Sequence, residues 1–179
     1  MNPLKQFNIG FVGLLPGKHH YSFEIGETYF SCFEYSQVTK GNIQLDLVLE
    51  KQSSMLILEF ELKGHVELVC DHCLEPYQQP LDVLQKLYVK FGESFSEQTD
   101  EIIVIPSGLS HIDVSHYVYE YIHLGLPMQH IHIDDNVPGK GCNPELIEKI
   151  KQYLPTKGPG RSNTDDSAWD ALKGMNFTD

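Results

Sequence analysis

Between Ile43 and Leu62 the chain alternates apolar and polar residues with a period of two, and this pattern restricts its fold more than any other feature. Ile43, Leu45, Leu47 and Leu49 alternate with Gln44, Asp46 and Val48, and Leu56, Leu58, Phe60 and Leu62 alternate with Ile57, Glu59 and Glu61. Successive side chains of an extended strand point to opposite faces, so each run reads as a strand buried on one side. Lys51-Gln-Ser-Ser54 between them reads as a hairpin loop. Tyr21, Phe23 and Ile25 form an earlier run that ends at Gly26, Gly64 is expected to separate the Leu62 strand from one leading to Cys70, and Leu84 to Phe91 reads as a further strand. Links this short pair neighbours antiparallel and leave no room for crossover helices, which predicts an antiparallel meander.

Beyond Ile105 the period changes. Val114, Tyr117, Val118, Tyr121 and Ile122 lie three or four apart, as on one face of a helix, with Asp113 as its cap and Pro127 as its stop. A second helix is expected from Asn143 as cap, Pro144 and Glu145 in the first turn, a stripe of Leu146, Ile147, Ile150 and Leu154, and Pro155 at its end. Thr156 to Asp166 reads as a linker, and Trp169 with Leu172 as a short docking patch. The fold class is therefore α+β: a curved antiparallel β-sheet from the N-terminal half, packed by two C-terminal helices. Residues 1–155 are expected to form a single domain with a hairpin at Cys70 and Cys73, and 156–179 a flexible linker and docking segment. At 179 residues, one domain with a sizeable core is the natural outcome.

Charge narrows the partners. The formal net charge is −12, from 13 basic and 25 acidic residues, and Arg161 is the single arginine. Nucleic-acid binders draw affinity from cations that displace phosphate counterions, with arginine favoured for its planar fork, so direct nucleic-acid binding is disfavoured. The strip Lys149, Lys151, Lys157 and Arg161 reads as a solvated helix face and tail. A basic protein partner suits the overall charge. Met1 to Leu15 lacks the basic and continuous apolar regions of a signal peptide, and no apolar run approaches the ~20 residues that span a bilayer, so a cytoplasmic protein with no membrane partner is expected.

The chemistry centres on Cys70-Asp71-His72-Cys73. Two thiols at this spacing can grip a metal ion or close a redox disulfide, and in a reducing compartment a structural disulfide is not expected. Structural zinc is four-coordinate, and the further donors are Cys142 with His130 and His132 before it. Zinc at Cys70, Cys73, His132 and Cys142 would tie the hairpin to the loop between the two helices; the alternative is a metal-free packed turn. A redox role needs Cys70 at a helix N-terminus, whereas Pro76 and Pro80 permit only a turn before the next strand. His130-Ile-His132-Ile-Asp134-Asp135 resembles the ligand string of metallo-β-lactamase-type hydrolases, which suggests a small metal-dependent hydrolase using His130, His132 and Asp134 as an alternative function. That class needs further histidines downstream, and His132 is the last in the chain. His116, Glu120 and His123 share a helix face and read as a polar surface in which Glu120 makes a structural contact. Cys32, between Phe30 and Phe33, is expected in a strand or in the core.

The stretch from Leu68 through the Cys pair to Pro80 and Leu81 resembles the signature of the YceD family, the large ribosomal RNA subunit accumulation proteins. Glu120, Leu124, Leu126 and Pro127, then His132, Cys142, Trp169 and Leu172, follow in the family's order, so the resemblance covers most of residues 64–179. It implies that Cys70, Cys73, His132 and Cys142 act as a set. His72 stands where many relatives have arginine, and Cys142 stands alone where many have a second Cys pair. The implied function is non-enzymatic: a ribosome-biogenesis factor that supports large-subunit ribosomal RNA accumulation, with a ribosomal protein or a ribosome-assembly intermediate as partner and zinc as a structural cofactor.

Overall fold

The computed structural model describes residues 3–134, 137–138 and 141–153. After a short 3-10 turn at Pro3–Phe7 come β1 (Asn8–Gly10), β2 (Gly17–Ile25), a single helical turn α1 (Glu27–Phe30), β3 (Gly41–Lys51), β4 (Met55–Val69) and β5 (Pro76–Gly92). Then follow β6 (Ser96–Thr99), β7 (Ile102–Pro106), β8 (His111–Asp113), α2 (Ser115–Leu124), β9 (Ile133–Asp134), β10 (Val137–Pro138) and α3 (Pro144–Tyr153). Met1–Cys142 form one compact unit and Asn143–Asp179 another. The linker and the Trp169 patch lie outside the described residues.

The first unit is α+β, built on an open six-stranded sheet of order β2-β3-β4-β5-β7-β6. The period-two reading holds residue by residue: Ile43, Leu45, Leu47, Leu49, Leu56, Leu58, Phe60 and Leu62 are all fully buried on one face. Cross-strand register keeps them aligned, Leu45 opposite Leu62 and Leu62 opposite Val83, so a slip by one residue would turn the whole apolar set to water. Helix α2 covers this face with Val114, Val118, Tyr121 and Ile122, and the Tyr121 ring meets Phe60 edge-on at 5.2 Å.

Three expectations need correction. The sheet is mixed: β2 to β5 pair antiparallel, but β7 runs parallel to β5. The chain leaves β5, forms the polar strand β6 at the edge and turns back into the gap as β7, because Ile103 and Ile105 are buried while every residue of β6 is exposed. Gly64 does not divide two strands either, since β4 is continuous from Met55 to Val69. A Cβ at Gly64 would lie 2.1 Å from the Asn42 carbonyl oxygen, so glycine is what lets β3 pass this closely. Cys32 lies in no strand and is exposed, just after α1.

The cap of α2 is displaced by one residue: Val114 holds the N-cap position, and the Asp113 carboxylate accepts the Ser115 backbone N–H at 2.9 Å. The helix ends at Leu124, with Gly125 at its C-cap, before Pro127 is reached. Strands β1 and β8 pair antiparallel, Ile9 opposite Ile112, and add these two residues to the core, as the preceding 3-10 turn adds Phe7. Lys51 donates to the carbonyls of Phe11, Val12 and Leu14 at 2.9, 3.1 and 3.0 Å, closing the turn after β1. In the second unit, the Asn143 side-chain oxygen accepts the Glu145 N–H at 3.1 Å, the expected cap of α3. Among the described residues no helix is long and apolar enough to cross a membrane.

Replacing Gly64 by Ala is expected to destabilise the fold by about 3 kcal/mol or prevent folding, because its clash is with backbone. Gly13→Ala, where a Cβ meets nothing within 4 Å, serves as the control and should be near neutral in urea unfolding.

Candidate metal centre

The β4–β5 hairpin carries the Cys pair at its tip. Pairing runs out to Val69 opposite Pro76, and the six-residue loop between them folds back on itself: Cys70 N–H donates to the Glu75 carbonyl and Leu74 N–H to the Cys70 carbonyl, both at 2.9 Å. The turn closes because Leu74 takes up the left-handed conformation, φ 58°, which costs a branched residue about 1 kcal/mol. The result places both sulfurs inward, with Cys70 and Cys73 buried. His72 N–H points at the Cys70 sulfur at 3.4 Å.

The second half of the site arrives with the segment after α2. Asp71 N–H donates to the His130 carbonyl at 2.6 Å, and the His130 N–H donates back to the Asp71 carboxylate at 2.8 Å. This reciprocal clamp fixes the backbone two residues before His132. The His132 ring lies 5.0 Å from the Tyr77 ring, and its Nδ1 turns toward the sulfurs. The short β9–β10 ladder, Asp134 opposite Val137, then reverses the chain toward Cys142.

The four donors, Cys70, Cys73, His132 and Cys142, all lie within 4.8 Å of one another. Cys70 Sγ is 3.7 Å from Cys142 Sγ, while His132 Nδ1 is 3.4 Å from Cys73 Sγ and 3.6 Å from Cys142 Sγ. A tetrahedron around zinc, with Zn–S of about 2.3 Å and Zn–N of about 2.0 Å, has S···S edges of about 3.8 Å and S···N edges of about 3.5 Å. The spacing and the donor chemistry fit, and the group could hold a metal ion.

Electrostatics point the same way. Burial pushes the Cys70 thiol up, but hydrogen bonds from the backbones of Cys73, His132 and His72, together with the His132 imidazole, outweigh it and lower the thiol to about 6. Burial raises Cys142 to about 12, with hydrogen bonds to Cys70 and Cys73 and their charge adding to it. One thiolate therefore forms readily and the last resists, as like charges sharing one enclosed site must. A cation among them removes that conflict.

The structure brings together the four residues that the sequence grouped as candidate ligands, Cys70, Cys73, His132 and Cys142. Sequence reasoning missed Asp71 as the clamp, since a residue inside a CxxC gives no sign that its backbone will pair with a segment 59 positions away. It also missed Tyr77, which only its place beside the imidazole marks out. Of the alternative hydrolase residues, His132 faces the sulfurs, the His130 backbone serves the clamp, and the side chain of Asp134 lies outside the described residues. The Cys pair leads into strand β5 at Pro76 and not into a helix. His116 Nε2 and Glu120 Oε1 form an exposed pair at 3.1 Å, the structural contact expected of Glu120.

The sequence model of the family described as large ribosomal RNA subunit accumulation protein YceD matches residues 58–176. The chain belongs to the YceD family. Comparison with curated proteins and with solved structures finds no match. The span shared with YceD begins within β4 and takes in all four donors, the Asp71 clamp and α2.

Leu74 offers a direct check on how the YceD turn is built. Its side chain is 69% exposed, so Leu74→Gly loses little packing and removes the left-handed strain. The variant should unfold with a free energy about 1 kcal/mol higher in urea, opposite in sign to the usual effect of adding glycine.

Proposed function

We propose that this chain is a non-enzymatic ribosome-biogenesis factor of the cytoplasm that supports accumulation of large-subunit, 23S-type ribosomal RNA through a protein partner, either a basic ribosomal protein or a ribosome-assembly intermediate. The observation that carries this reading is the YceD match over residues 58–176. The net charge of −12 supports a basic protein as the direct contact, because an anionic surface attracts cationic proteins at long range and repels phosphate backbones.

Within this reading Cys70, Cys73, His132 and Cys142 hold a structural zinc ion. Four protein donors fill a tetrahedral site, leaving no position for a water or substrate, which is the pattern of structural rather than hydrolytic zinc. When bound, the ion supplies a cross-link and the positive charge that three thiolates require. The chain's own residues do the positioning: Asp71 holds the backbone of His130, Tyr77 packs beside the imidazole, and the hairpin presents two sulfurs from one turn.

Elemental analysis of protein purified without added metal should find about one zinc per chain, abolished in Cys142→Ser and kept in Cys32→Ser. Asp71→Ala, which spares every donor, should weaken zinc binding about 10- to 100-fold in a chelator competition. An absence of zinc in the wild-type protein would leave the clasp a packed turn.

The functional reading is tested in cells lacking the gene. Large-subunit ribosomal RNA should fall relative to the small-subunit species, and the tagged chain should capture basic ribosomal proteins at low salt and release them at high salt. Recovery of naked ribosomal RNA with no basic protein would overturn the partner assignment.

A further inference from the structure

β2 comes first in the order of the six-stranded sheet, so one of its two sides has no neighbouring strand among the described residues. It pairs with β3 in unbroken register, without a proline, from Gly17 opposite Lys51 to Ile25 opposite Ile43. Beyond that ladder, no loop among the described residues hydrogen-bonds to the backbone of Lys18 to Glu24. Free backbone groups along a regular strand attract another strand, and globular proteins blunt them by shortening, bulging or placing a proline there. β2 uses none of the three.

An open side alone does not say what covers it. Its side chains do. His19, Tyr21 and Phe23 lie on the core face, opposite Leu49, Leu47 and Leu45. Those leucines are fully buried, yet the three rings beside them stay half-exposed, so the core is unfinished along β2. The Tyr21 and Phe23 rings run parallel with centroids 6.5 Å apart, a strip of aromatic surface at this margin. On the other face Lys18, His20, Ser22 and Glu24 are exposed. Lys18 reaches Glu50 only at 4.0 Å, and Glu24 makes no ion pair among the described residues.

The order of these residues is self-complementary. A two-fold axis that pairs β2 with itself antiparallel over its whole length, Gly17 to Ile25, must pass through its midpoint, Tyr21. Length alone sets that register, and it brings Lys18 opposite the second copy's Glu24 and Glu24 opposite the second copy's Lys18. His19 then faces Phe23, His20 faces Ser22, and Tyr21 faces itself. Directly opposed residues of an antiparallel pair point to the same face, so two ion pairs form on the exposed face and the rings gather on the core face. No like charges meet. With one lysine and one glutamate, β2 is also balanced on a chain of net charge −12, where much other surface would repel a second copy. We propose that β2 pairs with β2 of a second copy about an axis at Tyr21, joining two sheets into one across a dimer. β2 lies outside residues 58–176, so this dimer stands or falls apart from the functional reading above.

The test is sedimentation velocity of the full-length protein from about 1 to 300 μM, a range that brackets a single strand-to-strand seam. The sedimentation coefficient should rise with concentration to that of a dimer. Lys18→Glu and Glu24→Lys, both at exposed positions, each set two like-charge pairs across the axis and should raise the dimer dissociation constant at least about tenfold. The charge swap carrying both substitutions should return it to within about threefold of wild type, a rescue that general damage to the fold could not give. Cross-linking reads the register independently. In a Cys32→Ser background, Ser22→Cys should cross-link to its mate through a short bis-maleimide, whereas the Cys32→Ser parent and Ser96→Cys on β6 should not. A protein that stays monomeric to about 300 μM, or a dimer indifferent to both single reversals, would overturn the proposal. So would cross-linking at Ser96 in place of Ser22, which would move the contact to β6.

Discussion

Fifteen consecutive residue pairs, from Met55 opposite Lys90 to Val69 opposite Pro76, join β4 to β5, and the rest of the first unit is organised around this ribbon. Its middle supplies Leu58, Phe60 and Leu62 to the face that α2 covers, so the hydrophobic core is anchored on it. Its length carries the turn with the sulfurs to one end of the sheet. At the opposite end Tyr88 and Lys90 pair with β7, opposite Ile102 and Val104. The core and the donor cluster thus share one register, and pairing shifted by a single residue would disturb both.

The donor cluster depends on one further constraint. The two halves of the set are 59 or more positions apart in sequence, and nothing in the hairpin alone brings His132 near Cys73. The pair of hydrogen bonds between Asp71 and His130 does so, one made by the Asp71 backbone N–H and one by its carboxylate. Cys70 and Cys142 diverge in acidity because burial raises Cys142, with the hydrogen bonds and charge of Cys70 and Cys73 adding to it, while hydrogen bonds from Cys73, His132 and His72 outweigh burial at Cys70.

The strands were legible because one of their faces is buried: wherever that holds, the sequence must alternate, and Ile43 to Leu62 does. The cluster was legible because the chain has only four cysteines, two of them spaced as a CxxC. The parallel placement of β7 was not, since Ile102 to Ile105 would look the same beside either neighbour, and only the polarity of Ser96 to Thr99 hints at which strand takes the border. Gly64 misled because a glycine that separates two strands and one that admits a neighbouring backbone are identical in sequence. Cys32 misled because aromatic neighbours suggested burial, whereas Phe30 is buried in the helical turn and the cysteine that follows is left outside.

A sheet that does not close leaves its outermost backbone groups unpaired, and such a border can recruit a strand from another molecule. One of the two borders here is the nine-residue β2; the other is β6, which is only four residues long, exposed throughout, and irregular between Glu97 and Thr99. A ladder growing outward from it would have to extend over a kinked, charged and very short template. At that border, copies of this chain are thereby discouraged from stacking edge to edge, so any added strand would find its longer template along β2.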